Sequence, residues 1–317
     1  MADVGCVSVK GYMMISQAVK EALQKFVPAG NISYKEPLSK HTTFRVGGEA
    51  DCFIKIGTER QLSALLAYLK QVEIPYFVMG NGSNLLVGDS GYQGIILQIG
   101  DRCNRIVVQG NKIYAQAGAY LSQVARVACE HGLSGLEFAA GIPGTVGGGV
   151  VMNAGAYDGE MKQVVEGVTV LDKEGNSLEL DNATMEFGYR TSAIKSQPFI
   201  VSECCFKLVS GDKEAIAAKM EELQRKRKEK QPLEYPSAGS TFKRPEGHFA
   251  GKLIMDAGLA GASIGGAQVS KKHCGFIINT GSATAADIRQ LILYVQNEVN
   301  KHFHVKLEPE VIFLGEF

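Results

Sequence analysis

The chain has 317 residues, with 45% hydrophobic and 21% charged residues, enough for two domains or three small ones and a sizeable core. Lys+Arg and Asp+Glu both number 33, so the formal net charge is zero, which argues against a protein that mainly binds bulk nucleic acid. Seven cysteines lie scattered without a CxxC pair, and no long apolar run exists; a cytoplasmic protein with reduced thiols, no signal peptide and no membrane span is expected.

Residues 1–30 read as an N-terminal lead-in with one helix. Ile15, Val19, Leu23 and Phe26 recur near helical spacing, and Pro28 and Gly30 stop it. The segment 41–48, HTTFRVGG, is polar and then glycine-rich, and Ala50–Ile56 follows as a strand. Thr58 is placed to cap the next helix, with Gln61 at the capping-box position. Leu62, Leu65, Leu66 and Leu69 make its buried stripe. Tyr76–Met79 is a strand that runs into Gly80-Asn81-Gly82-Ser83-Asn84, and Leu85-Leu86-Val87 and Ile95–Ile99 are further strands. Strand–helix–strand units of this kind need a right-handed crossover and a buried sheet. The Gly80–Asn84 loop allows close backbone approach and offers side-chain donors suited to a pyrophosphate; a tight turn between strands is the alternative.

Ile106–Gln109 and Lys112–Gln116 flank Gly110-Asn111, a two-residue hairpin signal. A helix carrying Leu121, Val124, Ala125 and Ala128 ends near Gly132. Residues 141–157 then read GIPGTVGGGVVMNAGAY, with six glycines in 17 residues where average usage gives about one. Glycines let backbone N–H groups approach a ligand closely and form anion-binding concavities. The stretch is either a wall cradling a large cofactor or a glycine-rich corner of a packed sheet. Val164–Leu171 and Ser177–Leu180 form another hairpin, FGYRTS (187–192) an aromatic–basic turn, and Phe199–Leu208 a long strand. A helix over 212–230 ends in RKRKEK, which is a solvated face or an electropositive rim with Lys230 best placed for an anionic substrate. Composition shifts after Pro232 and Pro236. SAGSTFKRP (237–245) leads into a short helix at Gly251–Ala257, and Gly275–Asn279 is a strand. Thr284 caps a helix with Ile288, Leu291, Ile292, Val295 and Val299 on one face, and Leu307–Gly315 is expected to close the chain as a strand. Short strands with helices between them indicate an α+β chain.

No sequence-local metal site, Walker loop or GxSxG elbow is visible. Beyond the two glycine-rich cradles, three isolated polar candidates stand out: Arg190, Ser240 and Glu310.

Six segments in order, HTTFRVGG (41–48), GNGSNLLV (80–87), GIPGTVGGGVVMNAGAY (141–157), FGYRTS (187–192), SAGSTFKRP (237–245) and LEPEVIFLG (307–315), resemble the UDP-N-acetylenolpyruvoylglucosamine reductases of bacterial peptidoglycan synthesis. They span nearly the whole chain after about residue 40. Their compact spacing resembles the shorter branch of that family, which lacks an extra tyrosine-bearing loop. Gly149, where a residue such as Ala is expected, and Asp158, where Gly is usual, depart from the pattern.

The resemblance implies a two-lobed FAD-binding region of the vanillyl-alcohol-oxidase / p-cresol-methylhydroxylase type, over 31–105 and 106–230, and a C-terminal α+β substrate-binding domain over 231–317. It implies noncovalent FAD, NADPH as reductant, UDP-N-acetylglucosamine-enolpyruvate as substrate and a chain acting as a monomer. Expected FAD contacts are Arg45 and Gly47; Gly80, Asn81, Gly82, Ser83, Asn84 and Leu85; Gly141, Ile142, Pro143, Gly144, Thr145, Gly147 and Gly148; and Asn153, Ala154 and Gly155. Ser240 is the implied proton donor to C2 of the enolpyruvyl group, Arg190 the partner of its carboxylate, and Glu310 the group near the developing enolate. Lys230 is implied on the diphosphate, with Tyr189 and Lys243 near the substrate. Read without the resemblance, Ser240 is a turn serine, Arg190 a surface arginine and Glu310 a strand-edge carboxylate. A flavin oxidase of the same fold and a catalytically silent UDP-sugar binder are the competing functions.

Overall fold

A computed structural model describes residues 15–317; the part of the lead-in before Ile15 lies outside the described residues. Helix α1 (Gln17–Leu23) is capped by Ser16, whose Oγ accepts from Val19 N at 3.3 Å. The first sheet holds β1 (Ile32–Pro37), β2 (Glu49–Ile56), β3 (Tyr76–Met79) and β5 (Tyr92–Ile99) in the order β1-β2-β5-β3. Strands β2 and β3 both run parallel to β5, so each crossover needs an intervening element. Helix α2 (Glu59–Val72) supplies one, burying Leu62, Leu65, Leu66 and Leu69 as their spacing predicts. Thr58 Oγ1 caps it by accepting from Gln61 N at 3.2 Å. Gln61 does not close a capping box; its Oε1 accepts from Gly57 N at 3.0 Å, one residue before the cap.

The second sheet is antiparallel throughout, in the order Ser177–Asp181, Val165–Leu171, Ile200–Lys207, β7 (Lys112–Gln116), β6 (Ile106–Gln109). Helix α3 (Leu121–Glu130) buries Leu121, Val124, Ala125 and Ala128 against it. One hydrophobic cluster runs through both sheets, from Leu23 to Leu208. The glycine-rich stretch is neither a sheet corner nor an open loop. Its centre is a six-residue helix, α4 (Val146–Val151), capped by Thr145. Three glycines disfavour a helix; tertiary bonds hold its start, with Val146 N donating to Ala119 O and Gly147 N to Ala117 O, both at 2.8 Å.

Helix α5 (Lys213–Lys230) precedes the C-terminal region, where α6 (Ala250–Asp256), a three-stranded sheet and α7 (Ala285–Phe303) surround a second core. Phe44, Val46 and Leu86 from the N-terminal region pack into that core. Thr284 caps α7 as expected, here in a full capping box with Asp287.

The expected strand over 307–315 is shorter. Only Ile312–Leu314 is strand, pairing in parallel with β4 (Leu85–Val87). Pro309 has no N–H for a ladder. Residues 308–310 instead run beside 241–243: Lys243 N donates to Glu308 O at 2.9 Å and Glu310 N to Thr241 O at 2.8 Å. These two pairings bring residues 80–87, 240–243 and 310 together.

Asp89 ties the first lobe to α7, its two carboxylate oxygens accepting from Ala285 N at 2.8 Å and Ala286 N at 2.9 Å. An anion on the first turn also favours the helix dipole. Asp89→Ala is expected to lower unfolding stability by about 0.5–2 kcal/mol, read as a shift in the denaturant midpoint. An unchanged midpoint would show that Thr284 and Asp287 suffice.

The six cysteines among the described residues are free. No described helix is long and apolar enough to cross a membrane.

Candidate active site

A cleft of about 1170 Å³ is lined by residues from 42–85, 99–157, 190–201 and 223–240, with His273, Phe276, Glu310 and Ile312. Pockets for single small ligands span about 300–1,000 Å³, so this cleft is at the large end and suits an extended ligand. Both glycine loops line it, as do Arg45, Arg190, Lys230, Ser240 and Glu310.

The Gly80–Asn84 loop leaves β3 and enters β4. Gly82 is left-handed at φ +60°, and a Cβ there would strike the His41 carbonyl. A Cβ on Gly80 would strike Thr145 Oγ1 of the facing loop. The missing Cβ of Gly80 thus makes room for the Thr145 side chain, and the two loops pack closely. The asparagine carboxamides hold the frame: Asn81 Nδ2 donates to Pro143 O at 2.7 Å and Asn84 Nδ2 to Glu310 O at 3.1 Å. Each carboxamide nitrogen keeps a second N–H, and both residues line the cleft. Thr43 also lines the cleft, and its hydroxyl is buried without a hydrogen-bond partner. A buried hydroxyl with no partner is costly, so a bound group facing it is favoured.

Two expected cofactor contacts lie outside the cleft lining. Gly47 backs onto β4, where a Cβ would come 2.7 Å from Val87 Cβ. Asn153 is buried and left-handed; its Nδ2 donates to Gly188 O at 2.9 Å and Glu160 Oε2 at 3.0 Å, and its Oδ1 accepts from Lys162 N at 2.9 Å. It thereby docks the glycine stretch onto the turn that carries Arg190. At the two departures from the family pattern, Gly149 lies against Leu121, and Asp158 follows Tyr157 in a two-residue left-handed loop. Asp is among the residues that tolerate this conformation.

Arg190 occupies a left-handed position, φ +56°, in the tight turn closed between Gly188 and Thr191. Such backbone strain in a non-glycine residue clusters at functional sites. Its Nε lies 2.8 Å from Glu310 Oε1, and its Nη2 donates to Gly155 O at 3.2 Å. Burial pushes the Glu310 carboxyl above its ordinary range, against the opposing pull of Arg190, Lys243 and Lys195.

Ser240 follows the left-handed Gly239 and is exposed to the cleft. No described residue hydrogen-bonds its hydroxyl, so it is not a turn serine tied to local backbone. Its neighbour Thr241 is pinned, its N donating to Gly275 O at 2.8 Å and its Oγ1 accepting from Ile277 N at 3.0 Å. Tyr189 and Lys243 stand at the rim rather than in the lining. Tyr189 Oη accepts from Arg244 N at 3.0 Å, and Lys243 Nζ meets Glu308 Oε2 at 3.0 Å.

The basic run at the end of α5 divides. Lys226 pairs with Glu222 and Arg225 with Glu229 on the outer face, whereas Arg227 and Lys230, three apart, face the cleft. Sequence reasoning named neither Arg227 nor Lys195, which also lines the cleft. The i, i+3 spacing to Lys230 was the available signal for Arg227; Lys195 had none.

Comparison with known proteins gives the family. UDP-N-acetylenolpyruvoylglucosamine reductase from Caldanaerobacter subterraneus subsp. tengcongensis is 51% identical over 95% of this chain and 100% of its own. The chain belongs to the UDP-N-acetylenolpyruvoylglucosamine reductase family. The reductase from Clostridium botulinum (strain Hall) is also 51% identical, over 92% of this chain and 95% of its own. The crystal structure of the reductase from Thermus caldophilus superposes with a TM-score of 0.78 at 36% identity, covering 90% of this chain and 98% of that one. Residues 50–181 match an FAD binding domain, and residues 231–314 match the reductase C-terminal domain. The fold thus joins an FAD binding domain to the family's C-terminal domain. The glycine-rich walls formed by residues 80–84 and 141–149, with Arg45 beside them, fit a flavin dinucleotide in this cleft.

Proposed function

We propose that this reductase converts UDP-N-acetylglucosamine-enolpyruvate to UDP-N-acetylmuramate, a peptidoglycan precursor, using noncovalent FAD and NADPH. The observation that carries the reading is the convergence of Ser240, Arg190 and Glu310 with both glycine loops on one cleft. FAD, which the two glycine loops would hold, would supply the hydride chemistry between NADPH and C3 of the enolpyruvyl group.

The chain's own residues do the rest. Hydride at C3 leaves carbanion character at C2, delocalised into the carboxylate. Arg190, held by its turn and by Gly155 O, offers positive charge where that negative charge grows. Glu310, its carboxyl raised by burial, orients the donor or hydrogen-bonds the enolate as an acid. Ser240 Oγ donates the proton to C2, which completes addition of hydride and proton across the double bond. Its present exposure would end when substrate fills the cleft, and the nearby cations would increase its acidity. Lys230 would meet the diphosphate, with Tyr189 and Lys243 at the rim. All these groups come from one chain, so a monomer suffices, and NADPH and a UDP-sugar substrate fit a cytoplasmic setting. Residues 31–105 and 106–230 serve as the FAD-binding lobes and 231–317 as the substrate domain. The compact motif spacing fits the shorter family branch.

Anaerobic NADPH is expected to bleach the visible flavin band of the purified protein, and UDP-N-acetylglucosamine-enolpyruvate to restore it. Restoration by oxygen and alcohols but not by the enolpyruvyl substrate would indicate an oxidase. Colourless protein that does not take up FAD would indicate a UDP-sugar binder.

A further inference from the structure

Lys195 closes the short 3-10 turn Ala193–Lys195, five residues after Arg190. The turn is firmly anchored: Ala193 and Ile194 are buried, Ala193 N donates to Met185 O at 2.8 Å, and Ser192 Oγ donates to Val151 O at 2.9 Å. The Lys195 side chain lines the cleft. Its ammonium reaches only the Arg190 carbonyl oxygen, at 3.5 Å, and no carboxylate among the described residues pairs with it. The charges of Glu310 and Lys243 both act on it, and burial lowers its pKa. Glu310 does not neutralise it, because Arg190 already holds that carboxylate at 2.8 Å.

Arg190, for its part, is partly occupied. With Nε on Glu310 and Nη2 on Gly155 O, neither edge of its guanidinium is wholly free for a two-point clasp on a second carboxylate. The cleft thus holds an exposed ammonium lacking an anion beside a guanidinium that has one. A ligand that fills the cleft excludes water from this ammonium, which then needs an anion. Arg227 and Lys230 on α5 are available for phosphate. Lys195, within the field of Glu310, stands at the end where the three-carbon acid must lie.

We propose that Lys195 is a second cation for the substrate carboxylate and so a determinant of selectivity for the acid-bearing UDP-sugar. This rests on the reductase reading above. The test compares two ligands that differ in the carboxylate arm: UDP-N-acetylmuramate, which has it, and UDP-N-acetylglucosamine, which does not. Their dissociation constants are measured by calorimetry on flavin-loaded wild type and on Lys195→Met, Lys195→Gln and Lys195→Arg. A charged hydrogen bond contributes about 1.5–3 kcal/mol. The preference for the acid is therefore expected to fall about 10- to 100-fold in the Met and Gln variants and to recover largely in the Arg variant. The affinity for UDP-N-acetylglucosamine should stay at the wild-type value. An unchanged preference in both neutral variants overturns the proposal, as does an equal loss of both ligands, which would mark a structural or diphosphate role. A wild type with no preference at all overturns the reductase reading and this proposal with it.

Discussion

The Ser240→Ala variant is expected to reduce its flavin with NADPH at the wild-type rate and to reduce the enolpyruvyl substrate about 10²–10⁴-fold more slowly, the span over which a positioned proton donor contributes. The structure makes this a clean experiment. Ser240 is exposed, its hydroxyl bonds to no described residue, and the backbone beside it is held by Thr241. Loss of such a hydroxyl changes stability by no more than about 0.5 kcal/mol. A slow second half-reaction would then reflect lost chemistry rather than a damaged site. Stopped-flow traces of the two half-reactions, recorded separately, decide the matter. Equal slowing of both would remove Ser240 from the role of proton donor.

The sequence was most legible where the structure is local. The stripe of α2, the hairpin turn at Gly110-Asn111 and the Thr284 cap depend on contacts a few residues apart, which residue type and spacing encode. Less legible was what depends on distant pairing. Strand β4 pairs with residues 312–314, and that pairing ends early because Glu308 and Glu310 are taken up by Lys243 and Thr241. Nothing within 307–315 except Pro309 hinted at it. Asn81 and Asn84 are readable as donors because donor chemistry is visible in a sequence, whereas the Pro143 and Glu310 carbonyls that accept one bond from each are not. Helix α4 was unreadable for the opposite reason: its three glycines argue against a helix, and bonds to Ala117 and Ala119 override them. The recurring motifs pointed to Arg190, Ser240 and Glu310 through family resemblance. Lys195 depends on how a turn is seated in the cleft, which no local pattern records.

The Arg190→Ala variant is expected to lose about 10²–10³-fold in kcat/KM for the enolpyruvyl substrate, as when one preorganised stabiliser of developing charge is removed. It should also acquire a pH-dependent stability defect, because Arg190 has a second task. Burial raises the Glu310 carboxyl despite the guanidinium 2.8 Å away, so removing that guanidinium raises it further. A carboxyl raised on folding contributes stability that is fully present below its unfolded pKa and lost as pH rises through the folded value. The variant should therefore unfold close to wild type under acidic conditions, where Glu310 is neutral in both. It should fall behind towards neutral pH by about 1–3 kcal/mol, the cost of a buried polar group left without its partner. Thermal unfolding across that range reads the difference. Adding Glu310→Gln to Arg190→Ala should abolish most of the neutral-pH stability defect, which assigns that defect to the Glu310 charge left without its guanidinium. A defect that is equal at all pH values, or that the double variant does not relieve, would mean that Arg190 stabilises its strained turn rather than Glu310.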